Sequence, residues 1–160
     1  MAEVRSALAH LLRATDDDAR AALAAALDGV DLAQARIEAK NNPGSAESVA
    51  TVLGAMLVEG CEDADLVDAA KAAAQRAPRD GTGNESVLTA AMVLWRRSEQ
   101  PQLAEPYYRR VRRSDPAHPD VLGFYRELFG EESKATQLIQ VLVQARGRSC
   151  DAGGGASQLR

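Results

Sequence analysis

Cysteine and histidine are nearly absent from this sequence, which has two residues of each type. Cys61 and Cys150 lie far apart and share no spacing typical of a disulfide framework or a metal site. We interpret them as reduced thiols in a cytoplasmic protein, with a disulfide or a metal site as the alternative. His10 and His118 are equally isolated, because no cysteine or carboxylate cluster gives either of them the spacing of zinc ligands. The sequence therefore predicts no metal centre.

Long apolar runs and catalytic motifs are also lacking. No apolar run approaches 18 residues, so we expect no membrane-spanning segment and no membrane partner. Arg5, His10 and Arg13 interrupt the first residues, which excludes the apolar core of a secretory signal. The glycines at 153–155 follow no strand and precede no helix, and no serine lies in a nucleophile elbow. We predict a protein that is not an enzyme and has no cofactor, and an enzyme with an unrecognised site is the alternative.

Charge is unevenly distributed along a chain whose formal net charge is -4. Acidic side chains predominate in residues 1–80 and basic side chains in residues 81–160. Such an asymmetry can steer a charged partner without identifying it. The acidic runs Asp16–Asp18 and Glu62–Asp63 precede apolar periodic segments, so we interpret them as helix caps.

Helical periodicity is the dominant positive signal. Val87, Leu88, Ala91 and Leu94 recur at the spacing of one helix face, and no segment alternates apolar and polar residues as a strand does. Turns rich in proline, glycine, asparagine and aspartate separate the periodic segments. We expect an all-α protein with nine helices, at residues 2–14, 16–28, 31–41, 46–59, 63–77, 85–97, 102–114, 120–129 and 134–146.

A helix-turn-helix pattern recurs along the chain. In residues 85–118, the second helix carries Ala104, Tyr108, Val111 and Pro116 in a fixed register. This segment resembles the tetratricopeptide repeat family, whose second helix combines small residues, an aromatic and a closing proline. Partial copies follow the same register in residues 47–80 and 119–146. The phrase beginning at Ala104 also resembles segments of very long bacterial repeat proteins, of which this chain could be a fragment or a relative.

The resemblance implies a superhelix of stacked helical hairpins, because a hairpin with one apolar face must stack on neighbours to bury it. We expect a degenerate repeat or cap at residues 1–46, three hairpins at 47–80, 85–118 and 119–146, and a flexible glycine-rich tail at 147–160. The alternative is an irregular helical bundle with coincidental spacing. No oligomeric state follows from these patterns.

The same resemblance implies a scaffold that binds a protein or peptide along the first helix of each hairpin. The lysine and asparagine of the family's best-known carboxylate clamp are missing, so a chaperone tail is not the expected ligand. The corresponding groove positions are Thr51, Ala55, Val58, Ser86, Thr89 and Val93.

Arginines are concentrated at the ends of two predicted helices. They complement the helix dipole and keep the surface hydrated, or they recognise an anion, such as an acidic protein segment or nucleic-acid phosphate. The net negative charge and the lack of interleaved exposed aromatics disfavour nucleic acid. The alternative function is nonetheless a nucleic-acid-associated helical regulator that acts through this patch. The arginine cluster comprises Arg96, Arg97, Arg109, Arg110, Arg112 and Arg113.

Aromatic residues are few, at 4%, and all lie between Trp95 and Phe129. Alanine is concentrated in the first half of the chain. Because an alanine buries little apolar area and an aromatic buries about 150–250 Å², we expect residues 1–46 to open first and the C-terminal hairpins to be the stable core.

Overall fold

A computed structural model of the protein describes residues 2–14, 16–130 and 135–152. Within these ranges the chain forms nine helices and no strand, which confirms the predicted all-α class. No described helix is both long and apolar enough to cross a membrane. The helices are α1 (Ala2–Ala14), α2 (Asp17–Ala26), α3 (Leu32–Asn41), α4 (Ala46–Glu59), α5 (Asp63–Arg76), α6 (Asn84–Ser98), α7 (Pro101–Ser114), α8 (Pro119–Leu128) and α9 (Ala135–Ala152).

Local chemistry explains where the helices begin and end. The Asp16 side chain accepts a hydrogen bond from the backbone N–H of Ala19 and so caps α2, as the acidic run predicts. Ser45 caps α4 in the same way, and Gly60 ends that helix in the left-handed region with φ 78°. Glu62 occupies the N-cap position of α5 without a side-chain cap hydrogen bond.

The chain divides into two compact units, and the boundary lies inside α7, between Tyr107 and Tyr108. This boundary differs from those expected at residues 46 and 146. Each unit is described by itself below. The second predicted hairpin, which pairs α6 with α7, spans the boundary and stays a prediction.

The first unit is built around α4. This helix contacts α1, α2, α3, α5 and α6, and it buries apolar residues on every side. Gly54 allows the closest approach, since a Cβ at this position would lie 3.3 Å from Leu23 Cδ1 and 3.5 Å from Leu27 Cδ1 of the α2 region. In a linear repeat array each unit contacts only its neighbours. Here α1 packs against α4 and also α6, so residues 1–46 are part of the same core as the first hairpin.

The second unit contains an aromatic cluster. The rings of Tyr108 and Phe124 stack with centroids 4.1 Å apart, and Tyr125 meets Phe124 edge-on at 5.1 Å. Phe129 stacks on Tyr125 at 5.5 Å. In this unit α8 packs against α9, as the third predicted hairpin requires. The structure extends α9 to Ala152, beyond the predicted end at residue 146, and the rest of the predicted tail lies outside the described residues.

Candidate binding surfaces

The first helices of two predicted hairpins carry the same short sequence. Glu-Ser-Val-Ala-Thr occupies residues 47–51 of α4, and Glu-Ser-Val-Leu-Thr occupies residues 85–89 of α6. The two threonines make the same hydrogen bond to the preceding turn. Thr51 Oγ1 donates to the Glu47 carbonyl and Thr89 Oγ1 donates to the Glu85 carbonyl, each at 2.8 Å. We call the positions of Glu47, Ser48 and Thr51 on α4, and of Glu85, Ser86 and Thr89 on α6, the repeated face, because residues at i, i+1 and i+4 lie on the same side of a helix. Direct comparison of residues 47–51 with 85–89 is the sequence signal that would have identified it.

Helix α1 packs against both helices that bear the repeated face. Its apolar side is buried at Leu8, Leu11 and Leu12. Arg5 reaches α6, where its Nη2 donates to Glu85 Oε1 at 2.7 Å. Both side chains of this ion pair are partly exposed, so it contributes orientation more than stability. Helix α1 is therefore an amphipathic helix that packs on both helices carrying the repeated face and pairs with one of its residues, Glu85.

The groove expected along the first helices is not an open surface across both hairpins. The structure buries Ala55, Ser86, Thr89 and Val93, which corrects the expectation that they face a ligand. The physical reason is that α6 packs against α1, α4 and α5, and α4 packs against α1, α3 and α6, so these positions belong to the core. Among the predicted groove positions, Thr51 and Val58 remain half-buried.

Ser86 is unusual within the core of the first unit. The residue is 0% exposed, and its Oγ has no hydrogen-bond partner among the described residues. An unpartnered buried hydroxyl costs about 1–3 kcal/mol of stability. Ser48 occupies the equivalent position of the repeated face and is half-buried.

The α4 copy of the repeated face borders an open groove of about 620 Å³ between α1, α3 and α4. We call it the α4 groove. Its apolar part includes Val4 and the exposed Val30, and its charged lining is entirely acidic. The residues that line it on α4 are Glu47, Ser48 and Thr51, and the further acidic residues are Glu3, Asp31 and Glu38.

The arginines that end α6 have intramolecular partners in the first unit. The Arg96 guanidinium lies 3.7 Å from the centre of the Trp95 ring, a cation–π distance. Arg97 Nη2 lies 3.1 Å from Asp63 Oδ1 on α5, and both side chains are largely exposed. These contacts hold the two guanidinium groups against their own unit.

In the second unit, the Arg112 guanidinium lies 4.9 Å from the centre of the Tyr125 ring. Arg109 and Arg110 also have interaction partners, whereas Arg113 is exposed. The hypothesis that the two groups of arginines share one surface region spans both units and stays a prediction.

The histidines and Cys61 have structural explanations. His118 is the N-cap of α8, with its Nδ1 accepting from the Asp120 backbone N–H at 3.1 Å, and His10 is exposed on α1. Burial raises the pKa of the Cys61 thiol, and the nearby Asp65 carboxylate raises it further. A raised pKa disfavours the reactive thiolate. Among the described residues, no three His, Cys, Asp or Glu side chains are placed to hold a metal ion.

Comparisons with known proteins returned nothing: no family model, no curated protein and no solved structure matches this chain.

Proposed function

We propose that this protein is a non-enzymatic interaction module of the cytoplasm that binds a helical segment of another protein. The observation that carries the proposal is the repeated face, which occurs on two helices that contact the same α1. On α6, Ser86 and Thr89 are buried, whereas on α4 the equivalent Ser48 and Thr51 are half-buried and border the α4 groove. Helix α1 therefore serves as an example of the kind of segment that such a face binds.

Helix α1 indicates the chemistry of the partner. It presents an apolar stripe with Arg5 beside it, and Arg5 pairs with Glu85. Glu47 holds the equivalent position on α4, and its carboxylate makes no ion pair with a described residue. A partner helix would thus place apolar side chains over the groove and a lysine or arginine beside Glu47, which is the helix-in-groove mode of recognition.

The arginine cluster supports this function less well than the repeated face does. Arg96, Arg97 and Arg112 already contact rings or a carboxylate of their own unit. An acidic segment would have to compete with those contacts. The partner that the α4 groove favours is basic and amphipathic, in contrast to the acidic segment expected from the arginines.

The test uses a labelled peptide with the sequence of residues 2–14, added to the full chain. A photoreactive amino acid at position 48 should form an adduct with this peptide, and one at the exposed position 24 on α2 should not. Glu47→Lys should weaken binding at least about fivefold, from reversal of one favourable charge contact worth about 1 kcal/mol.

Glu59→Lys, at the exposed end of the same helix, is the matched charge control and should bind the peptide as the parent chain does. Equal adducts at positions 48 and 24, or equal weakening by the two lysine variants, would remove the support for a protein-binding groove on α4.

A further inference from the structure

An apolar slot lies on a different side of α4, between α3, α4 and α5. Its volume is about 240 Å³. Val49, Val52 and Leu53 of α4 form the buried floor. The walls on α3 and α5 are alanines, whose short side chains leave the space unfilled. These wall residues are Ala39, Ala69, Ala72 and Ala73.

Three cationic side chains lie at the edge of this slot. Arg36 and Lys40 lie one turn apart on α3, and Arg76 lies in the last turn of α5. All three are exposed, none makes an ion pair or hydrogen bond with a described residue, and no acidic side chain lines the slot. The helix dipole alone would favour Lys40 and Arg76 at helix ends. It does not explain why three unpaired cations surround one apolar space in a chain whose net charge is -4.

The shape and lining of the slot restrict its occupant. No uncharged polar side chain lines it, so a peptide backbone placed inside would leave its N–H and C=O groups without partners. A helix, with a diameter of about 10–12 Å, is too wide to enter. The volume of about 240 Å³ lies just below the roughly 300–1,000 Å³ of pockets that hold drug-sized ligands. The slot therefore suits one unbranched chain of medium length.

We propose that this basic-rimmed slot binds a medium-chain fatty carboxylate. The acyl tail lies over Val49, Val52 and Leu53, and the carboxylate lies at the rim with Arg36, Lys40 and Arg76. A carboxylate accepts several charge-assisted hydrogen bonds at once, which suits a rim of three donors. This site is separate from the α4 groove and does not depend on the proposed binding of a protein helix.

Calorimetric titration of the full chain with sodium octanoate tests the proposal. Affinity should rise about fourfold for each methylene from hexanoate to octanoate, since burial of one methylene stabilises by about 0.8 kcal/mol. Decanoate should gain less, because its tail exceeds the slot. Octanol should bind at least about tenfold more weakly than octanoate, because it lacks the charge that the rim recognises.

Variants locate the site. Ala72→Leu fills the slot and should reduce octanoate affinity at least about tenfold, whereas Ala64→Leu, exposed on the same helix, should not. Arg76→Gln should weaken binding and reduce its salt dependence, and Arg79→Gln serves as the charge control. Circular dichroism verifies that each variant folds.

Three results would overturn the proposal. Equal affinity for octanol and octanoate would show that the cations do not select the ligand. Equal effects of the two leucine variants would place binding elsewhere. Tighter binding of a short acidic peptide carrying one leucine would make the occupant a protein segment.

Discussion

The cores of the two units of this protein contain different kinds of side chain. The first packs alanine, valine and leucine side chains around two largely buried helices, α4 and α6. The second is organised around stacked and edge-on rings, with Phe124 between Tyr108 and Tyr125. Small side chains let helices approach closely, as at Gly54, but each contributes little apolar area. Each ring contributes much more, so few residues can hold the second unit together.

The difference in packing also bears on where the candidate binding sites lie. Alanine walls leave unfilled space next to α4, and both the α4 groove and the basic-rimmed slot lie in the first unit. Packing with small residues thus provides binding space while it lowers the stability that each residue contributes.

The largest expected effect is that of Phe124→Ala, which removes the central ring of the aromatic cluster. Loss of a fully buried phenylalanine costs about 3–5 kcal/mol. Urea unfolding followed by the near-UV circular dichroism of the tyrosines should show this loss. Fluorescence of Trp95, the single tryptophan, follows the first unit and should shift far less.

Leu66→Ala is the reciprocal control, since Leu66 is 1% exposed on α5 in the first unit. It should shift the Trp95 transition by about 2–5 kcal/mol. If Phe124→Ala moved both probes equally, the two units would unfold as one and the comparison would fail.

Gly54→Leu should be the next largest effect, because the added side chain has no room against Leu23 and Leu27. Overpacking of this kind costs about 1–3 kcal/mol. Gly123→Leu on α8 is the matched control, since a Cβ there meets nothing within 4 Å and the helix gains propensity. Chemical unfolding that ranks the two variants in the opposite order would show that α2 and α4 are not closely packed.

Hydrogen exchange should sharpen the comparison between the two units. Helix α3 of the first unit buries only Ala35 and Ala39, whereas α8 of the second unit buries Val121, Phe124 and Tyr125. We therefore expect amides of α3 to exchange at least about tenfold faster than those of α8, a difference of about 1.4 kcal/mol in opening free energy. Slower exchange in residues 16–41 than in 102–129 would contradict the stability gradient.

Helix α1 should depart from the simple expectation that residues 1–46 open first. Its contacts with α4 and α6 should protect its amides better than those of α3. Equal exchange in α1 and α3 would mean that the contacts with α4 and α6 do not hold α1 in place.

The smallest expected effect is a gain. Ser86→Ala removes a buried hydroxyl without a partner and should stabilise the protein by about 1 kcal/mol, or raise Tm by roughly 2–4 °C. Ser48→Ala, at the equivalent half-buried position, should change stability by less than about 0.5 kcal/mol. A lower Tm for Ser86→Ala would show that its hydroxyl is bonded.

The helices could be predicted closely because their limits depend on local chemistry. Residues 46–59 were expected as a helix, and α4 spans the same range between Ser45 and Gly60. The sequence does not predict the end of α9, because Gly147 indicates the start of a flexible tail. A glycine inside a helix costs only about 1 kcal/mol, so it marks a helix end less reliably than proline does.

Candidate binding residues could be predicted less well. Val93 and Ser86 were placed on a binding surface by their register in the repeat, yet both are buried. A helix such as α4, with apolar residues on all sides, has no single stripe that shows which face is the core. The sequence predicts the arginine cluster, and the contact of Arg96 with Trp95 joins neighbours in the chain. The partners Asp63 and Tyr125, in contrast, depend on how the helices pack.

By itself, the sequence determined the all-α class, most of the helix limits and the unequal distribution of alanine and aromatic residues, because these depend on propensity, capping and composition. Only the tertiary structure decided that α1 packs on both α4 and α6, that the groove positions on α6 are core, and that Arg36, Lys40 and Arg76 border one apolar slot. These features join residues far apart in the chain, and their contacts follow from packing geometry that no local pattern records.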